Sequence, residues 1–241
     1  MNLTGRLQVT NGQVLNDSTT QMYALGTAAQ DRFGRVYRYV QAGASALVVG
    51  NVIQSAAQVA NHLNCGVAAT AIGATAVTVT PGATAGAANL YAEGIAVIST
   101  TPGLGYSYGI SGHAAITAST AFTLNLVAED GVQVALTTSS KLDLQINPYK
   151  NVIQAPVTTL TGAVVGVAVY PIAAASYGWI QTWGMGGVLI DGTPAVGQSV
   201  SSPAAVAGGA AINSGTLQII GSMLCTGVDT KVKPVFITIA P

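Results

Sequence analysis

The sequence predicts an all-β protein, with antiparallel hairpins gathered into sandwich- or barrel-like domains and one or two short helices. Three observations carry this expectation. Turn-forming dipeptides separate strand-like runs, the runs alternate with a period of two, and helix signals are few.

The first turn pair is Asn11-Gly12, between LQVT and QVL. Asn-Gly and Asp-Gly reach the positive φ angles of tight hairpin turns with little strain. Asp31-Arg32-Phe33-Gly34 forms a second turn and leads into RVYRYV. There Val36, Arg38 and Val40 share one face while Arg35, Tyr37 and Tyr39 share the other. Residues 55–63 fit a short helix with Ser55 as its N-cap, and residues 84–94 fit another, capped by Thr84 and ended by Gly94. Between them AVTVT alternates Val77 and Val79 with Thr78 and Thr80. Further on, TLNLV alternates Leu124 and Leu126 with Thr123, Asn125 and Val127, and the Asp130-Gly131 turn leads to VQVALTT. In YGWIQTW, the side chains of Tyr177, Trp179, Gln181 and Trp183 line one face, with Ile180 and Thr182 behind. A third dipeptide, Asp191-Gly192, separates GGVLI from TPAVGQSV. The closing strand KPVFITIAP places Val235, Ile237 and Ile239 on one side.

Residues 147–159 hold two prolines without clear periodicity and read as a connector. The expected division is an N-terminal β-rich domain over 1–150 and a C-terminal β-rich module over 151–241. The tetrapeptide NVIQ occurs at Asn51 and again at Asn151, a thin sign of duplication in so biased a composition.

Composition narrows the function. Charged residues make up 7% of the 241, against about 25% in ordinary soluble domains. Lys and Arg total eight, Asp and Glu total eight, and the net charge is zero. Nucleic-acid binding needs many phosphate contacts from cations, so it is excluded. Disorder needs low hydrophobicity, whereas half of these residues are apolar. Sparse charge also argues against a solitary monomer. Mean hydropathy is +0.51, yet the best candidate span, 160–176, is broken by Gly162, Gly166 and Pro171. Aromatics at 6% give little support to an outer-membrane barrel, and MNLTGRLQVT lacks the features of a cleaved signal. No membrane association is expected.

Enzymes bring acids, bases and nucleophiles together in a pocket. The carboxylates here are Asp17, Asp31, Glu93, Glu129, Asp130, Asp143, Asp191 and Asp229, of which Asp31, Asp130 and Asp191 are accounted for by turns. Adjacent Glu129 and Asp130 point to opposite faces of an extended chain. Cys65 and Cys225 lie 160 residues apart and read as buried free thiols, while His62 and His113 read as polar loop residues. The Gly-x-Gly in TPGLGYSYG lacks both a following helix and a phosphate-loop lysine. No catalytic residue, cofactor or metal ligand is expected. Arg32, Arg35 and Arg38 form the one concentration of positive charge, which reads as a solvated hairpin tip or as a salt-bridge patch for a partner. Tyr177, Trp179 and Trp183 read as core packing or a protein interface, with carbohydrate stacking as the other possibility.

Several segments carry a family resemblance. QMYALGTAAQDRFGRVYRYVQAGASALVVGNVIQ resembles the opening of a group of tailed-bacteriophage virion proteins, and YAEGIAVISTTPGLGYSYGISGH resembles their middle section. GAVVGVAVYPIAAASYGWIQTWGMGGVLI is similar to a recurrent module of phage head decoration proteins, and IIGSMLCTGVDTKVKPVFITI resembles its closing strands. The resemblance implies a β-rich capsid decoration (cement) protein, often trimeric. Such a protein is made in the host cytoplasm and sits on the outer surface of the head. Its partners would be the major capsid protein and copies of itself. The alternatives are a tail or fibre component of the same virion, and a glycan-binding adhesive module using Trp179 and Trp183.

Overall fold

Val36, Tyr37, Tyr39 and Val40 are β-branched or aromatic residues and all are buried, so RVYRYV is driven into a sheet from both faces. In the computed structural model, which describes residues 5–215 and 217–241, such runs organise the whole chain. The fold is all-β, as expected. The chain separates into two compact units: unit 1 runs up to Ala57 and resumes at Pro148, and unit 2 is Gln58–Asn147.

Unit 1 begins with β1 (Leu7–Gln8), a single-turn α1 (Asn11–Val14), β2 (Ala28–Gln30), β3 (Val36–Gln41) and β4 (Val52–Gln54). Unit 2 contributes β5 (Cys65–Val67), β6 (Ala76–Thr80), β7 (Ile95–Ile98), β8 (Ser107–His113), β9 (Phe122–Leu126) and β10 (Lys141–Gln145). Unit 1 then resumes with β11 (Ile153–Gln154), β12 (Val164–Ala168), β13 (Tyr177–Ile190), β14 (Ser199–Ser201), β15 (Ala211–Ile212), β16 (Ile219–Met223) and β17 (Lys231–Thr238).

The unit 1 strands form one branched sheet with the main order β1-β2-β3-β13-β17-β16-β14-β15, from which β12, β4 and β11 branch at β13. All its strand pairs are antiparallel except β1 with β2. The five residues of β12 are all buried. Val164 and Val167 join a core with Val188, Ile190, Ile220, Val235 and Ile237, while Val165 and Ala168 join a second core with Val40, Leu47, Ile172 and Ile180. Burying each such aliphatic side chain contributes about 1.5–3 kcal/mol.

Unit 2 is a closed six-stranded barrel in the order β10-β5-β6-β9-β8-β7. Strands β7, β8 and β9 pair in succession and β10 returns beside β7, a Greek key. The alternation read in AVTVT and TLNLV fills its interior: Val77, Val79, Phe122, Leu124 and Leu126 are buried.

Several local expectations need correction. The domain division at residue 150 is replaced by an insertion, since residues up to Ala57 belong with the C-terminal part. Asn11-Gly12 opens α1 and is no hairpin tip; Thr10 N–H donates to Gln13 Oε1 (2.8 Å) at its start. No helix forms over 84–94, because its amides donate across the barrel. Those of Gly86, Asn89 and Glu93 reach the carbonyls of Ile116, His113 and Ile110. The expected helix at 55–63 shrinks to a 3-10 turn, Ala60–His62. VQVALTT is a loop, although Val132 and Leu136 are buried from it and Leu136 bridges to Thr70. Neither Asp-Gly dipeptide closes a tight hairpin: Asp130 ends a 3-10 turn, and the strand before Asp191 pairs with β3, β12 and β17.

Candidate interaction surface

The β2–β3 hairpin places the three expected arginines in different roles. Asp31, 5% exposed, holds the turn: its Oδ1 accepts from the amides of Phe33 (2.9 Å) and Arg35 (3.0 Å), and its Oδ2 accepts from Arg35 Nε (2.6 Å). Arg35 Nη2 also donates to Asn11 Oδ1. Arg38 donates from Nη1 to the Gly26 carbonyl and from Nη2 to the Pro241 oxygen. Two members of the basic cluster are thus tied into unit 1. Arg32 alone stands at the tip, its guanidinium 4.8 Å from the centre of the exposed Phe33 ring. A cleft of about 420 Å³ lies beside it, between the tip and residues 8–11.

The aromatic series also divides. Trp179, 4% exposed, packs with Tyr23, Tyr39 and Tyr177, with ring centroids of Tyr39 and Trp179 5.1 Å apart. Tyr39 Oη accepts from the Met22 amide and Tyr177 Oη from Gln41 Nε2. A buried indole offers no face for a sugar ring, so the carbohydrate role envisaged for Trp179 does not fit. Between Gln181 and Trp183 the pairing with β3 shifts register. Gln181 is buried there, its Nε2 donating to the carbonyls of Trp183, Gly184 and Met185. Beyond the shift, Trp183 meets Phe236 edge-on at 5.7 Å.

The few carboxylates are largely spent on loops. Asp17 accepts from the Ala173 amide, Asp130 from Gly109, Asp143 from Asn64, Asp191 from Ala205 and Asp229 from Gly192. Such charge-assisted bonds fix the backbone around each carboxylate. The histidines are buried, contrary to the loop reading. His113 Nε2 accepts from the Tyr91 amide (3.1 Å), and its Nδ1 bonds the Ala114 carbonyl (2.6 Å). His62 Nε2 bonds the Thr84 carbonyl (2.8 Å) and its Nδ1 pairs with Tyr91 Oη (2.5 Å). Carbonyls only accept, so these contacts put a proton on His113 Nδ1 and on His62 Nε2, and both rings pack as core. Both cysteines are free; Cys65 is buried, but Cys225 is partly exposed, which corrects the expectation for the second thiol. Among the described residues no three His, Cys, Asp or Glu side chains gather as a metal site, and no helix is long and apolar enough to cross a membrane.

The surface that sequence reasoning missed lies on the second half of β13. Its first half is covered on both sides, Trp179 facing one core and Ile180 another. From Trp183 onward it pairs with β17, Met185 opposite Phe236 and Leu189 opposite Val232. Val188, Ile190, Val235 and Ile237 point into the core, so the alternate residues point outward. Met185 is 60% exposed, Val232 51% and Phe236 36%. The signal was present in KVKPVFITI, where Val232, Pro234 and Phe236 are as apolar as Val235 and Ile237 on the other side. No protein-family profile, no curated protein and no solved structure matches the chain.

Proposed function

We propose that the chain is a non-enzymatic structural protein of a tailed-bacteriophage virion, which decorates the outer surface of the icosahedral head and cements neighbouring capsid subunits. The observation that carries this reading is a strand face with large apolar side chains left outward, while most of the carboxylates are bonded into the protein's own loops. It joins the resemblance of the 162–190 segment to head decoration modules. A protein that binds only the assembled shell stabilises it by linkage, because the shell cannot open without losing those contacts. Several modest contacts from one oligomer act at high effective concentration. The partners in this reading are the major capsid protein and further copies of the chain.

The test is the protein composition and reconstruction of intact particles of the virus that encodes this sequence. Density of this fold repeating over the head lattice is the expected result. Particles without the protein, or with copies in the tail alone, would overturn the reading.

A further inference from the structure

We infer that the outward face of β13 and β17, centred on Met185, Val232 and Phe236, is buried against a second copy of this chain. The inference deepens the reading above, resting on its self-association and naming the surface that performs it.

Sheet continuity does not explain the exposure of this face. The first half of β13 is buried on both sides, and only beyond Trp183 does one side open to solvent. The open side carries Trp183, Met185 and Leu189 from β13 and Val232, Pro234 and Phe236 from β17, in registered cross-strand rows. Isolated apolar residues on a surface are ordinary, but contiguous rows mark a contact site. Met185, Val232 and Phe236, exposed to the extents given above, together leave on the order of 300 Å² of apolar surface to solvent. That is roughly a third of the about 800 Å² each partner buries in a standard protein interface, so these three side chains form the centre of the contact and a rim around them adds the rest.

Charge selects the occupant. The outward positions of β13 from 183 to 189 and of β17 from 232 to 238 include no charged side chain; Lys231 and Lys233 fall on the alternate positions. Near a symmetry axis a charged residue meets its own copy, so a face that packs on itself must do without charge. A partner recognised by its own charges would call for complementary charges here, and none is present. Two such faces pack sheet on sheet about 10 Å apart, with Phe236 and Trp183 providing aromatic anchors.

The experiment is sedimentation of the purified chain and of two variants, Met185→Glu and Phe236→Glu, with near-ultraviolet dichroism to confirm folding. The wild type is expected to associate in the micromolar range or tighter. Each variant should raise the dissociation constant at least tenfold, because like charges meet in the contact, and 1 M salt should restore part of the loss by screening. A measurement on the wild type needs no variant: diluting the oligomer should shift tryptophan emission to the red as Trp183 meets water, while Trp179 stays buried. A monomeric wild type, an oligomer indifferent to both substitutions, or emission unchanged on dissociation would overturn the inference. So would a monomer whose variants lose only their affinity for phage heads, since the occupant would then be the shell. The sedimentation and emission readings use free protein, so they stand or fall separately from the presence of the chain in particles.

Discussion

Trp179 packs among Tyr23, Tyr39 and Tyr177, whereas Trp183, four residues along the same strand, is partly exposed against Phe236. Truncating the first opens a cavity beneath the surrounding tyrosines, where the indole is buried; truncating the second removes one side of an open contact. At protein concentrations where the chain is monomeric, Trp179→Ala is therefore expected to lower unfolding free energy by about 3–5 kcal/mol, and Trp183→Ala by about 1 kcal/mol or less. Urea unfolding of the two variants checks this, and equal losses would contradict the assignment of Trp179 to the core. Nothing in the alternation of YGWIQTW separates the two indoles, because the register shift after Gln181 comes from pairing with distant strands. The thiols divide in the same way. Burial, with the Asp143 charge adding to it, pushes the Cys65 thiol from 9.0 up to about 11, and burial pushes Tyr37 from 10.0 up to about 12, although the Arg35 charge pulls it down. Both groups are held neutral in the folded state. Their contribution is complete below about pH 9 for the thiol and pH 10 for the phenol, and it is lost as pH rises through the folded values. At two units each, the loss amounts to up to about 2–3 kcal/mol per group. Stability should accordingly fall from pH 9 to pH 12 in thermal melts. At pH 8 iodoacetamide should modify Cys225 in the native protein and reach Cys65 only on unfolding; rapid native labelling of both would show the Cys65 site to be open.

Hairpin β2–β3 is the element most fully written in the local sequence. Asp31 accepts the amides of the turn and Gly34 takes a φ of +79° that other residues reach only with strain. Asp31→Ala leaves these amides and the Arg35 guanidinium without their shared acceptor, so a loss of about 2–3 kcal/mol is expected. Asp31→Asn, which keeps a carbonyl acceptor, should lose less. Chemical denaturation of both variants provides the comparison, and equal losses would assign the whole effect to the ion pair. Strands whose two faces differ, such as AVTVT and TLNLV, were legible for the same local reason: period two survives whatever the partner strand is. The stretch 84–94 was not legible. Its small residues suit a helix, but Asn89 and Glu93 adopt positive φ and their amides serve β8, so tertiary hydrogen bonds override propensity. Strand β16 shows the same dependence on distant chain. A Cβ on Gly221 would collide with the Phe236 carbonyl oxygen, a constraint set by β17 and invisible in the sequence IIGSM. Gly221→Ala is expected to cost several kcal/mol by forcing β16 from β17, and to accelerate amide exchange along Lys231–Thr238; unchanged exchange there would refute the steric account.

The two NVIQ tetrapeptides acquire their meaning at the scale of the whole chain. They supply β4 and β11, which pair antiparallel with Ile153 opposite Gln54 and Gln154 opposite Ile53. The chain leaves unit 1 just after β4 and re-enters it just before β11, so the paired tetrapeptides bracket the inserted barrel and hold its entry and exit side by side. Repetition in the sequence pointed to duplication; pairing gives it a mechanical reason, since β4 and β11 close unit 1 whether or not the barrel intervenes. The zero net charge likewise conceals a division. Unit 2 has one lysine, Lys141, against the four carboxylates Glu93, Glu129, Asp130 and Asp143, a net of −3, and unit 1 carries the complementary +3. The barrel has its own closed sheet and buried interior, whereas the outward apolar face of β13 and β17 belongs to unit 1. Residues 58–147 expressed alone should therefore fold cooperatively, bind an anion exchanger at neutral pH and sediment as a monomer. Replacing 58–147 in the full chain by a short Gly-Ser linker should leave unit 1 folded and still self-associating, because the gap to be closed is only that between two paired strands. Dichroism, calorimetry and sedimentation of the two pieces decide the matter. An unfolded 58–147 fragment would mean that the barrel depends on unit 1 for stability, and an associating fragment would move the contact surface from the β13–β17 face to the barrel.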